Sequence, residues 1–343
     1  MHDNDHQEIT QNKNGSGSKF LGALAAAGMV AGAGWIAYSQ TMIDHNLPLP
    51  LAIRSERHLF TSRMAGLLNY YVDESGEGRP LVLIHSINAG SSAYEMRPLF
   101  EHYREKRPVY ALDLPGFGFS ERSNRHYSSE LYAAAIRDFL AEIVEEPADV
   151  IALSLGSEFA ARAALDNPDL FHSLILISPS GLSGDGGKKS SQKAADGGSS
   201  EGLYKFLSFP IWNQALYDLL ATRPSINYFL EKSFHGPVDE GLAAYGYLTT
   251  HQPGARYAPL YFVSGRLFTP NVREEIYEKL ELPALIIYDQ DPYVSFSALP
   301  DLLLAHPNWN AVRITPTRGL PHFEQLDTTT QVLDNFWEGI ENA

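Results

Sequence analysis

The reading of this chain turns on Val150-Ile151-Ala152-Leu153-Ser154-Leu155-Gly156-Ser157-Glu158-Phe159. An apolar run opened by β-branched residues stops at a serine set among small neighbours. A helical pattern (Ala160, Ala161, Ala164, Leu165) then begins at once. A strand that turns this sharply into a helix lifts the serine hydroxyl onto the rim of a sheet, at the helix N-terminus. Two residues before the serine stands Ala152, where so tight a turn leaves little room, and a methyl is the smallest side chain. The competing reading is a serine that only N-caps a core helix. The rest of the chain has to decide between them.

Working outward, the flanking segments alternate. Arg57–Arg63 and Leu67–Val72 read as a hairpin joined through Met64-Ala65-Gly66. Leu81–His85, Val109–Asp113, Leu174–Ser178, Ala284–Tyr288 and Ala311–Thr315 are short apolar runs of the kind buried in a parallel sheet. Helical stretches stand between them near Ala93–Tyr103, Ser129–Glu145 and after Ser154, and a last helix spans Gln331–Ile340. This pattern predicts an α/β fold, a mostly parallel sheet flanked by helices. It breaks at Gly181. Residues 184–200 are a Gly/Ser/Lys-rich tract read as a mobile loop. Its Gly-Gly-Lys-Lys-Ser lacks the spacing of a phosphate loop, which sets nucleotide binding aside. Residues 203–280 are rich in aromatic residues and lean to helix, without strong strands.

The 343 residues suit one large α/β domain or two ordinary ones, and net charge is −15, from 41 acids against 26 Lys and Arg. That balance argues against a nucleic-acid partner, whose phosphates need a basic face. The chain has no cysteine, so disulfides, a thiolate nucleophile and thiolate-held clusters are excluded, while the compartment stays open. No grouping of His, Asp and Glu has metal-ligand spacing.

Ahead of the catalytic region, residues 1–19 are polar and read as disordered. Residues 20–38 run for nineteen positions without a charge, with Trp35 and Tyr38 at one end. As a helix they would reach roughly 28 Å, about a bilayer core. Gly28 and Gly32 give them a small-residue face. The segment is expected to be an uncleaved membrane anchor, with a cleaved signal peptide and then a docked helix as alternatives. Lys13 and Lys19 precede it and no Lys or Arg follows until Arg54, which puts the N-terminus in the cytoplasm and the large domain outside. Secretion or periplasmic release after cleavage is the other outcome. Residues 39–55 read as a proline-punctuated linker to a domain over 56–343.

A serine hydroxyl attacks at neutral pH only when a base takes its proton and donors receive the oxyanion. Ser154 within Ala152-x-Ser154-x-Gly156, together with Asp113-Leu114-Pro115-Gly116-Phe117-Gly118-Phe119-Ser120, resembles the α/β-hydrolase superfamily across residues 56–343. The resemblance implies an eight-stranded sheet, a helical cap inserted after the sixth strand (about 182–281) and no metal or organic cofactor. It also implies an order of serine, acid and histidine on successive strand ends, which places His322 as base in the loop before the last helix. Asp291, followed by Pro292, fits the acid position better than Asp289, which stands as the alternative. The implied oxyanion donors are the backbone N–H groups of Leu155 and, by position, Ile87. Ser86 replaces the usual glycine of that loop, and Ala152 the first glycine of the elbow. His85 and the Asp113 signature read as structural, and Glu158 as a carboxylate either solvated or supporting the site from behind. The expected activity is hydrolysis of an ester or related acyl bond in a small apolar or aromatic substrate. Carbon–carbon bond hydrolases, perhydrolases and acyltransferases share the triad. A ligand receptor or a membrane scaffold would keep the fold without the chemistry.

Overall fold

The structure is a computed structural model that describes residues 30–184 and 197–342. The chain divides into two units, Met1–Ile43 and Asp44–Ala343. In the first, residues 30–42 form helix α1. Among the described residues no helix is long and apolar enough to cross a membrane. The expected disordered stretch 1–19 and residues 20–29 of the expected anchor lie outside the described residues.

The second unit is built on eight strands: β1 (Glu56–Ser62), β2 (Gly66–Asp73), β3 (Leu81–Ile84), β4 (Val109–Asp113), β5 (Ala148–Leu153), β6 (Phe171–Ile177), β7 (Ala284–Tyr288) and β8 (Trp309–Arg313). They form one sheet in the order β1-β2-β4-β3-β5-β6-β7-β8. The β1–β2 and β2–β4 pairs are antiparallel and the others parallel. Helices α2 (Arg97–Tyr103), α3 (Ser129–Phe139) and α4 (Gly156–Asp166) make the crossovers. Between β6 and β7 the chain leaves the sheet and forms the helical cap. Its helices are α5 (Gly197–Leu207), α6 (Asn213–Leu220), α7 (Arg223–Ser233), α8 (Glu240–Thr250) and α9 (Tyr257–Val263). Helices α10 (Leu299–Ala305) and α11 (Leu326–Glu341) follow β7 and β8.

The apolar runs form strands because both faces are covered. Val82, Ile84, Val150 and Ala152 face a core shared with α3 and α4, while Leu81, Leu83, Ile151 and Leu153 face one shared with α2 and α11. Each of the Val, Leu and Ile side chains, fully buried, contributes about 1.5–3 kcal/mol. Tyr132 of α3 stacks on Phe159 of α4 with centroids 4.7 Å apart, which ties together the two helices flanking β5.

Several boundaries move from their sequence expectations. Helix α3 ends at Phe139 and passes into one wider turn, Leu140–Val144, closed by left-handed Glu145. Strand β8 begins at Trp309, two residues before the expected Ala311. Of the tract expected to be a mobile loop, residues 185–196 lie outside the described residues, whereas 197–200 already belong to α5. Residues 44–55, expected as a linker, are held along their length. His45 Nε2 lies 3.0 Å from the Asp218 carboxylate of α6. Leu47 donates its N–H to His251 and accepts from Gln252. Ala52 N–H reaches the Tyr71 hydroxyl, and Ile53 is fully buried.

Asp113, at the end of β4, accepts hydrogen bonds from Asn69 Nδ2, Ala93 N and Phe119 N at 2.8, 2.8 and 2.9 Å. It thereby joins β2, the start of the α2 segment and its own loop. Gly118 turns that loop with φ of 51°, and a Cβ there would lie 1.9 Å from Asp113 Cγ. Gly118→Ala therefore collides with the carboxylate that joins three elements. The expected outcome is a loss of about 2–4 kcal/mol of stability, read from the midpoint of urea unfolding. A midpoint equal to that of the wild type would contradict the packing described.

Candidate active site

Ser154 stands at the turn from β5 to α4 with φ of 52°. This is left-handed backbone, which a residue with a side chain adopts only where its surroundings impose it. Here Ser154 N–H is bound to Ile177 O of β6 at 2.8 Å, and its carbonyl accepts from Ser157 N at 3.0 Å. The turn sits directly on the end of β3, since a Cβ on Gly156 would come within 2.4 Å of His85 O. His85 is buried beneath it. Its Nδ1–H donates to Ser86 O at 2.6 Å, and its Nε2 accepts Leu114 N–H at 2.9 Å. Both nitrogens are thus engaged, and burial holds the imidazole below its ordinary range, hence neutral.

The other two expected catalytic side chains stand on the same rim as Ser154, Asp291 in the loop after β7 and His322, expected in a loop, in a one-turn helix, Pro321–Glu324, after β8. Asp291 Oδ1 accepts the backbone N–H groups of Tyr293 and Val294 at 2.7 and 2.9 Å. Its Oδ2 approaches Gly319, three residues before His322, where a Cβ would lie 3.4 Å away. Burial raises this carboxyl against the lowering effect of the two amides. Asp289, the alternative acid, is fully engaged. Arg313 Nε reaches Oδ1 at 2.6 Å and Thr317 N reaches Oδ2 at 2.9 Å. Burial works to raise the Asp289 carboxyl, but these donors hold it below its ordinary value.

His322 is fully buried, and Nε2 donates to the carbonyl oxygen of Glu95 at 2.7 Å. Among the described residues, buried Nδ1 has no hydrogen-bond partner. Burial pushes the imidazole down to about 4, so the ring is neutral at pH 7. Among the described residues no hydrogen bond joins Ser154, Asp291 and His322 to one another. The three follow the carboxyl ends of β5, β7 and β8, with the imidazole turned to a backbone carbonyl.

The loop after β3 is closed by a residue the sequence reading passed over. Buried Glu95 accepts Ser86 N–H on Oε2 and Asn88 Nδ2 on Oε1, each at 2.8 Å. Asn88 in turn bonds Ser86 Oγ and, through Oδ1, Gly90 N–H. The carboxylate thus fixes the segment containing Ile87, while the Glu95 carbonyl receives His322. The available signal was an acid inside the apolar run Ala93-Tyr94-Glu95-Met96, three residues before Pro98. Ile87 is buried in this loop, and Leu155 is the N-cap of α4. Among the described residues neither backbone N–H is engaged by a protein acceptor.

Glu158, one turn along α4, is enclosed rather than solvated. It accepts Ser180 Oγ at 2.5 Å and Thr269 N at 2.8 Å, which links the helix after Ser154 to the far end of the cap. Burial pushes its carboxyl up to about 7 against those donors. Among the described residues no three or more His, Asp or Glu side chains are grouped to hold a metal ion.

A left-handed serine between a central parallel strand and its helix, with a cap inserted between the sixth and seventh strands, defines the α/β-hydrolase architecture. The chain belongs to the alpha/beta hydrolase family, whose profile matches residues 81–331. It is 33% identical over 118 residues to an uncharacterized hydrolase of Bacillus subtilis, covering 34% of this chain and 42% of that protein. It is 28% identical over 122 residues to the 2-hydroxy-6-oxo-2,4-heptadienoate hydrolase of Pseudomonas putida, covering 35% and 44%. The chain thus spans less than half the length of these curated relatives. A bacterial membrane phospholipase A superposes with a TM-score of 0.66 at 21% identity, covering 95% of this chain and 98% of that one. That likeness is one of fold.

Glu158 and His322 give opposite pH dependences. Folding raises Glu158 from 4.5 to about 7, so its contribution is full below pH 4.5 and is lost as pH rises to about 7. Folding lowers His322 from 6.5 to about 4, so its contribution is full above pH 6.5 and is lost as pH falls to about 4. Glu158→Gln should remove the first slope and His322→Gln the second, seen by urea unfolding across that range. If Glu158→Gln leaves the pH profile unchanged, Glu158 is not the enclosed carboxyl described.

Proposed function

We propose that the protein is a serine hydrolase that cleaves an ester or related acyl bond through Ser154, His322 and Asp291. The observation that carries this reading is the left-handed Ser154 at the β5–α4 turn, a strained placement of the kind that gathers at reactive sites. Ser154 Oγ attacks the acyl carbon while His322 takes its proton and returns it to the leaving group. Asp291 orients the imidazole through Nδ1–H. The N–H groups of Leu155 and Ile87 receive the oxyanion, and water then releases the acid. For this cycle the ring has to leave the Glu95 carbonyl and carry its proton on Nδ1. Catalytic hydrogen bonds of this kind commonly tighten only once substrate is bound.

The free Oδ2 of Asp291 beside Gly319 favours it over Asp289, whose oxygens are both engaged. A groove of about 410 Å³ between cap helices α7 and α8 and Arg318 is lined by Phe234, Val238 and Ala243 but equally by Glu231, His235, Glu240 and Arg318, and Ser154, Asp291 and His322 are not part of its lining. A broader depression is lined by Asn167, Pro168 and Leu170 near the amino end of β6, away from the rim that carries Ser154. The relative named for hydrolysis of a heptadienoate favours, as a second reading, a different scissile bond handled by the same residues. We further propose that residues 20–38 hold the protein in a membrane, with the catalytic unit on the extracytoplasmic side.

Ser154→Ala should abolish both fluorophosphonate labelling and hydrolysis of p-nitrophenyl esters. Asp291→Asn should lower kcat about 10³–10⁴-fold through loss of imidazole orientation, while Asp289→Asn acts mainly on stability. Labelling that survives in Ser154→Ala would reject the assignment. Labelling without ester turnover would move the reading to another bond.

A further inference from the structure

The first turns of the cap carry large apolar side chains that the fold does not cover. Leu203 and Phe206 of α5 are 44% and 57% exposed, and Phe209 just beyond is 42% exposed. These are not scattered singles of the kind every soluble surface shows. Trp212 gathers the two phenylalanines, with ring centroids 5.5 Å from Phe206 and 4.5 Å from Phe209, and its Nε1–H donates to Phe206 O at 2.7 Å. The aromatic group is therefore held in shape rather than left loose. The charges beside it are paired but do not cancel. Glu201 meets both Lys205 and Arg266, which leaves one net positive charge at the edge of this face in a chain of net charge −15.

The path of the chain says what would cover this face. The charge-free stretch 20–38 ends five residues before the second unit begins at Asp44. The chain then enters that unit on the cap, not on the sheet. His45 meets Asp218 of α6, and Leu47 is bonded to His251 and Gln252 just after α8. Leu219, next to Asp218 on α6, is itself 49% exposed. The first residues of the second unit are thus bound to the cap, the same part of the unit that carries the uncovered aromatic group.

We infer that the face formed by Leu203, Phe206 and Phe209 inserts into the interfacial layer of a lipid bilayer. The cap then draws lipophilic acyl substrates from that layer. Aromatic and aliphatic side chains at this depth bury apolar surface while the helix backbone stays satisfied. The inference rests on the proposed membrane segment and deepens the proposed acyl hydrolysis by naming a membrane-dissolved substrate class.

Because the chain has no cysteine, a single introduced thiol is labelled uniquely. Full-length Phe209→Cys, with Leu203→Cys as a second position, is labelled with a polarity-sensitive dye and placed in phosphatidylcholine vesicles. Leu304→Cys on α10, at a position 84% exposed, is the control. The cap labels should shift to the blue and be quenched by nitroxide-bearing lipid, while the α10 label stays aqueous. Cap labels that behave like the control overturn the inference. So does a blue shift that appears without vesicles and grows with protein concentration, which identifies a second copy as the occupant. Release of the protein by carbonate would refute the membrane segment alone. The released protein is then returned to fresh vesicles, where the same shift sustains the cap surface and its absence rejects it.

Discussion

The contact between Gly156 and the carbonyl of His85 governs the arrangement of the site. The first residue of α4 has to pass the end of β3 with no side chain between them, because a methyl there would stand 2.4 Å from that oxygen. So close an approach forces the chain to reverse within Ser154 and Leu155, and left-handed backbone at Ser154 is the result. The same approach places the serine over the loop that follows β3. Ile87 and the Glu95 side chain are fixed there. A looser crossing would leave the serine as an ordinary helix cap.

Much of this was legible in the chain. Apolar runs covered on both faces are hard to mistake, and Val109–Asp113 and Ala284–Tyr288 have the limits expected of them. The elbow could be read because its constraint is local, a few residues of strand, serine and glycine. Strand β8 was harder to place, since its middle residues are only partly buried and give a weak apolar signal. The role of Glu95 was not readable. Nothing near position 95 indicates that its carboxylate closes a loop nine residues earlier, or that its carbonyl meets a histidine 227 positions later. Long-range hydrogen bonds leave no periodicity. The choice between Asp289 and Asp291 was open for the same reason, because what separates them is Arg313 and Thr317 on β8 and the loop after it.

The imidazole of His322 adds a constraint on how the site works. A carbonyl oxygen only accepts, so the contact with Glu95 assigns the proton to Nε2 and leaves a bare lone pair on Nδ1. Ring and loop are therefore coupled. Glu95 holds the segment containing Ile87 with its side chain and the His322 ring with its backbone, and movement of either reaches the other. Glu158 has a comparable role just beyond the nucleophile, where an enclosed carboxyl joins α4 to the loop after β6 and to Thr269 at the end of the cap.

The stitching of residues 44–53 onto the cap has a mechanical consequence. Force applied to the amino terminus is carried first by the His45–Asp218 contact and by the bonds of Leu47 at the end of α8. Tension is thus delivered to the helices over the site before it reaches any strand. The sheet, with its serine, is loaded last.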